Sequence, residues 1–206
     1  MTVQNDGIGT ADSVFTVAPW IVYRGIQMTT KGHFIDRLGN VTCYVTIVLG
    51  RHAKSDWSTG LPDRERPLNS RGKRDAPKMG ALLAAYGFQP DLIMSSDAVR
   101  ARTTAQIIAE KLIHTRPIRT EPRIYDEGHG AIVGLLQDLP EEIEKVMLFG
   151  HNPTMEMAAG FFLQSRAGIV IPTCALMCLE STSPTWGGLS PLNVSLKWFL
   201  IPRLFK

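Results

Sequence analysis

Residues 43–52, CYVTIVLGRH, are the stretch that indicates the fold of this chain. The first seven, Cys43–Leu49, are short, β-branched and almost entirely apolar, which is typical of a strand that is buried on both faces of a sheet. The run then ends in Gly50, Arg51 and His52. We therefore predict a central strand with a guanidinium group and an imidazole at its carboxyl end.

Two further short apolar runs are also followed by polar residues, as a buried strand with a functional end would be. Asp91–Met94 predicts a second strand, and residues 95–97 (SSD) after it are candidate helix caps. Lys145–Phe149 predicts a third strand, which is followed by Gly150 and His151. The other predicted elements are helices around Met79–Tyr86, over Thr103–Leu112 and from an Asn152 cap to about Gln164, short helical pieces around Pro140, and strands over Ala175–Leu179 and Val194–Leu200.

The alternation of apolar strands with helices predicts the fold class. It indicates a mostly parallel central sheet covered by helices on both faces, that is, a three-layer α/β/α sandwich formed by residues 41–206. Residues 1–40 show no sustained period of 2 or 3.6, and we predict an N-terminal extension without a stable element. In parallel sheets of this kind, the ligand crevice lies at the carboxyl ends of the strands.

The composition narrows the class of protein further. The chain has 206 residues, of which 44% are hydrophobic and 20% charged, and this globular composition excludes a disordered, collagen-like or coiled-coil protein. A formal net charge of +3 allows anionic ligands, but it falls far short of a nucleic-acid-binding composition.

The sequence also bears on location. Val14–Tyr23 is too short to span a bilayer and lacks a basic flank, so we expect no membrane anchor and no secretory signal. Three cysteines, Cys43, Cys174 and Cys178, are too few for a disulfide scaffold and indicate buried thiols in a reducing compartment. We expect a cytoplasmic protein. Organellar targeting by residues 1–40 is weakly indicated, since the Arg-rich pattern of a transit peptide is missing.

The candidate functional residues stand where strands end. A lone histidine after a strand usually only caps the strand through a backbone hydrogen bond. His52 and His151, however, would converge on one crevice if their strands are neighbours.

Two arginines stand beside these histidines. Arg51 is adjacent to His52, and Arg100 lies in the first turn of a helix that begins near residue 96. A helix N-terminus with an arginine favours an anion, and the guanidinium fork suits phosphoryl oxygens. Arg100 and Arg102 cannot both face this crevice, because residues two apart lie on different helix faces.

Several sequence motifs resemble those of a known protein family. The chain resembles the histidine phosphatase superfamily, in the form of its SixA-type phosphohistidine phosphatase branch, over about residues 43–206, and the resemblance implies the phosphoglycerate mutase-like fold. The matching segments, in the family's order, are Leu49–Ser55 (LGRHAKS), Arg66–Gly72 (RPLNSRG), Ser95–Ala105 (SSDAVRARTTA) and Phe149–Pro153 (FGHNP).

The resemblance implies a mechanism and a set of site residues. His52 would attack phosphorus and become a phosphohistidine, which water then hydrolyses. Arg51, Arg66, Arg100 and His151 would surround the phosphoryl oxygens and stabilise the charge that is spread over them. The arginines supply the positive charge, so the resemblance implies no metal ion and no cofactor.

Some positions depart from the family pattern. Gly50 replaces a larger apolar residue, and Asp97 stands where a proline is common, which puts a carboxylate beside the proposed anion pocket. The proton donor to the leaving group has no recognisable motif. Asp126 and Glu127 fall in the region from which some relatives supply it, although a solvated acidic turn is the simpler interpretation of these two residues.

The length of the chain bears on the substrate. Ile113–Val146 is too short for a large lid over the pocket, and an open pocket admits a phosphoryl group on a protein surface, such as a phosphohistidine on a histidine phosphotransfer domain. We therefore expect a protein phosphohistidine phosphatase, without a nucleic-acid or membrane partner. A phosphatase of small phosphorylated substrates and a non-catalytic module that binds phosphorylated ligands are the alternatives. The basic segment Arg64–Arg74 could steer an acidic partner towards the pocket.

Two features have simple structural interpretations. Cys174 and Cys178, four apart on a predicted strand, are expected in the core rather than at a metal. His129 could join His52 and His151 around zinc, but no ligand spacing supports such a site.

Overall fold

The computed structural model describes residues 45–205 and, before them, the backbone of three two-residue strands: Gln27–Met28 (β1), Phe34–Ile35 (β2) and Val41–Thr42 (β3). These three strands form a small sheet in the order β1-β2-β3, in which β1 and β2 are antiparallel. Residues 1–40, for which we predicted no stable element, contain β1 and β2, and two residues are too few to show a period in the sequence. The chain divides into two compact units, residues 1–41 and 42–206.

The second unit is built on a six-stranded sheet in the order β6-β5-β7-β4-β8-β9. The pairs β4–β7, β5–β7 and β5–β6 are parallel, whereas β8 runs antiparallel to both β4 and β9. Four neighbouring strands thus end at the same edge of the sheet. The strands are Val45–Arg51 (β4), Leu92–Ser95 (β5), Arg119–Thr120 (β6), Lys145–Gly150 (β7), Leu176–Ser181 (β8) and Val194–Leu200 (β9).

Helices cover both faces of this sheet. Along β4, Val48 joins a buried cluster with Met79 and Ile108 from helices on one face, whereas Ile47 joins a cluster with Phe162 on the other. The three-layer α/β/α prediction is confirmed. The helices are Ser70–Ala85 (α1), Val99–Lys111 (α2), Arg123–Asp126 (α3), Gly128–Gln137 (α4) and Thr154–Phe162 (α5). In the part of the chain described here, none of these helices is long and apolar enough to cross a membrane.

The starts of two helices differ from the predicted ones. Helix α2 begins at Val99 after Ala98, with no side-chain cap, since the polar groups of residues 96 and 97 bind elsewhere. Helix α5 begins at Thr154, and the predicted cap Asn152 instead donates from Nδ2 to the carbonyl of Ile171, 3.0 Å away. Both predicted caps were therefore wrong. Tertiary contacts occupy the capping oxygens of residues 96 and 97, whereas the Oδ1 atom of Asn152, which would have to accept from the helix, has no hydrogen-bond partner among the described residues.

The cysteines are placed only in part as predicted. Cys174 and Cys178 are both buried, but Cys174 precedes β8 rather than lying on it. Burial raises the pKa of each of these thiols to about 12. Cys43 lies outside the described residues.

Candidate active site

Two histidines meet at the carboxyl edge of the sheet. His52 follows β4 and His151 follows β7, and because these strands are parallel neighbours, the two ring centroids lie 4.9 Å apart. The backbone N–H of His52 donates to the carbonyl of Gly150 at 3.0 Å, which holds the two strand ends in register. Both side chains are buried, each with 8% of its surface exposed. The structure thus brings together the two imidazoles that the sequence singled out.

The ring of His52 is oriented by a backbone carbonyl. Its Nδ1 lies 2.7 Å from the carbonyl oxygen of Ala53, which can only accept, so Nδ1 carries the proton and Nε2 keeps its lone pair. Nε2 accepts a hydrogen bond from Nε of Arg100 at 3.3 Å. The nitrogen that could act as a nucleophile is therefore the one that faces the arginine.

His151 is held by a hydroxyl group instead. Its Nε2 lies 2.6 Å from Oγ of Ser96, the residue directly after β5. Its Nδ1 is buried and has no hydrogen-bond partner among the described residues. If Ser96 donates to Nε2, then Nδ1 of His151 carries a proton and can donate it to an oxygen in the pocket. The sequence had suggested Ser96 only as a helix cap.

Arg100 is aimed at this pair by α2. It lies in the first turn of the helix with only 4% of its surface exposed, whereas Arg102 is exposed on a different face, as the helical spacing predicts. The hydroxyl of Thr104 donates to the carbonyl of Arg100 at 2.7 Å and accepts from the backbone N–H of Ala53 at 2.9 Å. The first turns of α2 are thereby linked to the segment that carries His52.

Two further arginines approach from other segments. Arg51 donates from Nη1 to the carbonyl of Ile171 at 2.8 Å, and its buried Nε has no partner in the described part of the chain. Arg66 is buried, donates from Nη1 to Oγ of Ser55 at 2.6 Å, and lies over the ring of Trp57, 3.6 Å from the centroid. Arg51 therefore has a donor without a partner, whereas Arg66 is held on two sides.

Asp63 and Tyr125 line the pocket as well, and the sequence did not single out either of them. The carboxylate of Asp63 joins two of the arginines. One of its carboxylate oxygens accepts from Nε and Nη2 of Arg66 at 3.0 and 2.6 Å. The other accepts from Nη2 of Arg100 at 2.7 Å and from the hydroxyl of Tyr125 at 2.6 Å. The hydrogen bond from Tyr125, together with the two guanidinium groups, holds the pKa of Asp63 well below its usual range. Arg66 and Arg100 therefore bind a carboxylate of the chain itself.

A signal for Asp63 was present, because it lies three residues before Arg66 in the same polar loop. The pairing itself required the fold, since Arg100 and Tyr125 are 37 and 62 residues further along the chain.

The pocket around these groups has a volume of about 380 Å³. The sequence-predicted Arg51, His52, Arg66, Arg100 and His151 all line it. The remaining lining residues are Lys54, Ser55, Trp57, Asp63, Tyr125, Asn152, Pro153, Thr154 and Thr173.

The acidic residues that the sequence placed near the pocket pair elsewhere. Oδ2 of Asp126 accepts from Arg64 at 2.7 Å, and Oδ1 of Asp97 accepts from the same guanidinium at 3.0 Å. Neither these two residues nor Glu127 lines the pocket. Asp97 is thus paired with Arg64 outside the lining of the pocket.

The site keeps both imidazoles neutral. Burial and the nearby arginines lower the pKa of His52 to about 4, although its hydrogen bond to Ala53 opposes this shift. Burial, followed by the proximity of His52 and Arg100, lowers the pKa of His151 to about 3. A neutral imidazole retains the lone pair that nucleophilic attack requires.

The structure offers no support for the zinc alternative. In the described ranges, no group of three or more His, Cys, Asp and Glu side chains could hold a metal ion. The ring of His129 lies 6.0 Å from the ring of Phe161.

The fold defines the class of protein, an α/β protein with two histidines and three arginines lining a pocket at the carboxyl ends of its strands. Residues 47–164 match the sequence profile of the histidine phosphatase superfamily (branch 1), and the chain belongs to this family. An uncharacterized chloroplastic protein of Arabidopsis thaliana is 33% identical over 153 residues, which is 68% of each chain.

Solved structures agree with this assignment. The protein histidine phosphatase SixA complexed with tungstate superposes with a TM-score of 0.70 at 18% identity, over 79% of this chain and all of the other. A candidate SixA phosphohistidine phosphatase from Agrobacterium tumefaciens is 30% identical, with a TM-score of 0.64 over 77% of this chain and 99% of its own. The first of these likenesses supports the fold, and the second also supports the family.

Proposed function

We propose that this protein is a metal-independent phosphatase that acts through a phosphohistidine intermediate on His52, with protein phosphohistidine as its substrate. The observation that carries the proposal is the set of groups around Nε2 of His52. One small pocket is lined by the groups that carry a lone pair, an arginine that already holds a carboxylate, and two buried nitrogens without a partner among the described residues. Among common biological anions, a phosphoryl group has the oxygens to occupy all of these donors.

The proposed reaction has two steps. Nε2 of His52 forms a bond to phosphorus while the bond from phosphorus to the leaving group breaks, and the bonding electrons depart with the leaving group. Water then attacks the phosphohistidine, and the P–N bond breaks to return neutral His52 and inorganic phosphate. Arg51, Arg66 and Arg100 stabilise the charge on the equatorial oxygens in both transition states, and Nδ1 of His151 donates to one of them.

A protein substrate also fits the supply of protons. Asp63, the carboxylate of the pocket, is ionised and occupied by arginines, so it is a poor proton donor to an alkoxide leaving group. An imidazole leaving group can depart already protonated and does not need such a donor. This favours phosphohistidine over a phosphate ester.

A labelled phosphodonor tests the covalent step. Brief incubation should place an acid-labile, alkali-stable label on the wild-type protein and none on a folded His52→Ala variant. Substantial turnover by His52→Ala would contradict the covalent mechanism. Tight phosphate binding without any label would support the non-catalytic binding module.

A comparison of kcat/KM identifies the substrate class. A protein phosphohistidine should be hydrolysed more efficiently than phosphoserine peptides and small sugar phosphates. The runner-up, a small-ester phosphatase, has one favourable observation, since a pocket of about 380 Å³ suits a small ligand. A preference of more than about tenfold for a small ester, roughly 1.4 kcal/mol in transition-state stabilisation, would establish that alternative.

We propose a cytoplasmic location, with an organelle as the alternative because the Arabidopsis relative is described as chloroplastic. A fluorescent fusion of the full chain, compared with one that lacks residues 1–40, separates the two.

A further inference from the structure

A second concave surface adjoins the catalytic pocket. It is a groove of about 660 Å³ between one face of α1 and the C-terminal segment. Thr173 lines both this groove and the catalytic pocket, so the two share a wall. The hydroxyl of Thr173 accepts a hydrogen bond from Nη2 of Arg71 at 2.9 Å, so Arg71 lies at the shared wall. We call this surface the basic groove.

The groove carries an excess of positive charge. Arg71, Arg74 and Lys78 follow each other at intervals of three and four along α1, so they share one helix face. Arg203 faces them from the turn Pro202–Leu204, which packs against the same helix. All four side chains belong to exposed residues.

Little of this charge is neutralised. Asp75 is the one carboxylate of the groove, and it lies 3.8 Å from Nε of Arg71 and 3.3 Å from Nε of Arg74. Lys78 and Arg203 form no ion pair with any residue that the structure describes. The outer half of the groove therefore has two cations available for a ligand.

The dimensions indicate the size of that ligand. From Arg71 to Lys78 the row spans seven residues of helix, or about 10 Å along the axis at 1.5 Å per residue. A second phosphate on a small molecule in the catalytic pocket would meet Arg71 at the shared wall and leave Lys78 uncovered. A polypeptide that continues outward from the reacting group would meet the whole row.

We propose that the basic groove binds an acidic segment of the phosphoprotein substrate next to the phosphorylated residue. This inference rests on the proposed function for its substrate, and it adds where that substrate is recognised. Apolar groove residues at the C-terminal side, Ile201 and Phe205, would pack against the aliphatic parts of such a segment. Complementary charge mainly raises the rate of productive encounter, so the groove should act on kcat/KM more than on kcat.

Two phosphohistidine peptides test the proposal. One has glutamates on the flank and the other has glutamines at the same positions. Wild-type protein should prefer the glutamate peptide in kcat/KM, and Lys78→Glu/Arg203→Glu should reduce this preference by about tenfold, the scale of losing charge complementarity at an interface. Lys145→Glu/Arg166→Glu is the matched control, since it changes the net charge equally at exposed positions outside the groove.

A binding assay separates this proposal from the proposed function. Fluorescence anisotropy of the labelled, unphosphorylated glutamate peptide needs no chemistry, so it reports on the groove even if phosphohistidine is not the substrate. We expect weaker binding by Lys78→Glu/Arg203→Glu, and also by the milder Lys78→Gln/Arg203→Gln should the charge reversal fail to fold. The control variant should bind as the wild type does.

Three outcomes would overturn the proposal. The first is equal loss of binding in the groove and control variants, which would indicate only a general charge effect. The second is dependence on Arg71 alone, as expected for a small bisphosphate. The third is tighter binding of a single-stranded oligonucleotide than of the glutamate peptide, which would assign the groove to nucleic acid.

Discussion

His52 and His151 occupy equivalent positions after neighbouring parallel strands, yet their ring nitrogens have different partners. His52 donates from Nδ1 to a carbonyl and presents the lone pair of Nε2, whereas His151 is bound through Nε2 to Ser96 and presents Nδ1. Equivalent positions in the sheet thus allow two different roles. The first ring suits nucleophilic attack, and the second suits donation to an oxygen.

Arg100 and Arg102 form a matched pair for a test at the residue scale. Arg100→Ala should lower kcat/KM by about 10²–10³, the scale of removing one preorganised donor to a transition state. Arg102→Ala should have little effect, because that side chain is exposed on another face of α2. Steady-state kinetics of both variants check this. A larger loss in Arg102→Ala would contradict the assignment.

Asp63 pairs with Arg66 and Arg100, so an anion that binds to these arginines would have to displace its carboxylate. We expect Asp63→Asn to bind inorganic phosphate about tenfold more tightly, since it removes a charge-assisted contact that phosphate must displace. The inhibition constant of phosphate as a product inhibitor measures this. Weaker phosphate binding would instead mean that the Asp63 carboxylate is needed to position the arginines.

At the scale of elements, Gly50 shows how β4 and β7 fit together. A Cβ atom at this position would lie 2.8 Å from two ring carbons of Phe149 and 3.1 Å from a methyl group of Leu176. Both side chains are fully buried and the Phe149 ring is rigid. The Phe149 ring fills the space that a side chain at position 50 would need. This explains why glycine stands where the family has a larger apolar residue.

This contact predicts a coupling between the two strands. Gly50→Ala should reduce the free energy of unfolding by about 1–3 kcal/mol, the usual cost of overpacking a core. In a Phe149→Leu background, the smaller and more adjustable side chain should reduce that cost. Urea unfolding of the wild type, both single variants and the double variant measures the coupling. An equal cost in both backgrounds would exclude the Phe149 ring as its source.

For the whole molecule, the buried neutral histidines predict a pH-dependent stability. The pKa values of His52 and His151 lie at about 4 and 3, below the ordinary 6.5 of the unfolded chain. As the pH falls from about 7 to 5, the unfolded state gains protons that the folded state does not, so the free energy of unfolding must decrease. The contribution of Asp63 has the same sign but is lost only below its ordinary pKa of 3.8.

Urea unfolding at pH 7 and pH 5 measures this decrease. A His52→Asn/His151→Asn variant should show a smaller decrease, because it lacks both titrating groups. An identical decrease in this variant would assign the effect to other residues.

Removing residues 1–40 tests the organisation of the whole chain. We predict that kcat/KM is largely retained, since every proposed catalytic group comes from beyond residue 50. A large fall in kcat of a folded truncated protein would show that this segment completes the site.

The sequence by itself determined the layered fold and the residues of the candidate site that lie next to strand ends or in a helix turn. Short apolar runs and helical spacing are local properties of a sequence. They were sufficient to predict β4, β5 and β7, and to single out the residues next to the predicted elements, His52, His151 and Arg100. The helical spacing also predicted that Arg100 and Arg102 would lie on different faces of the helix.

Only the tertiary structure decided which atoms meet. Asp63 joined Arg66, Arg100 and Tyr125, and Ser96 bound His151 instead of capping α2. The basic groove arose from a helix and a C-terminal turn more than 100 residues apart in sequence. Such contacts depend on how distant segments pack, and no local period or capping preference encodes them, because the free energy of a hydrogen bond or an ion pair depends on the partners that the fold supplies.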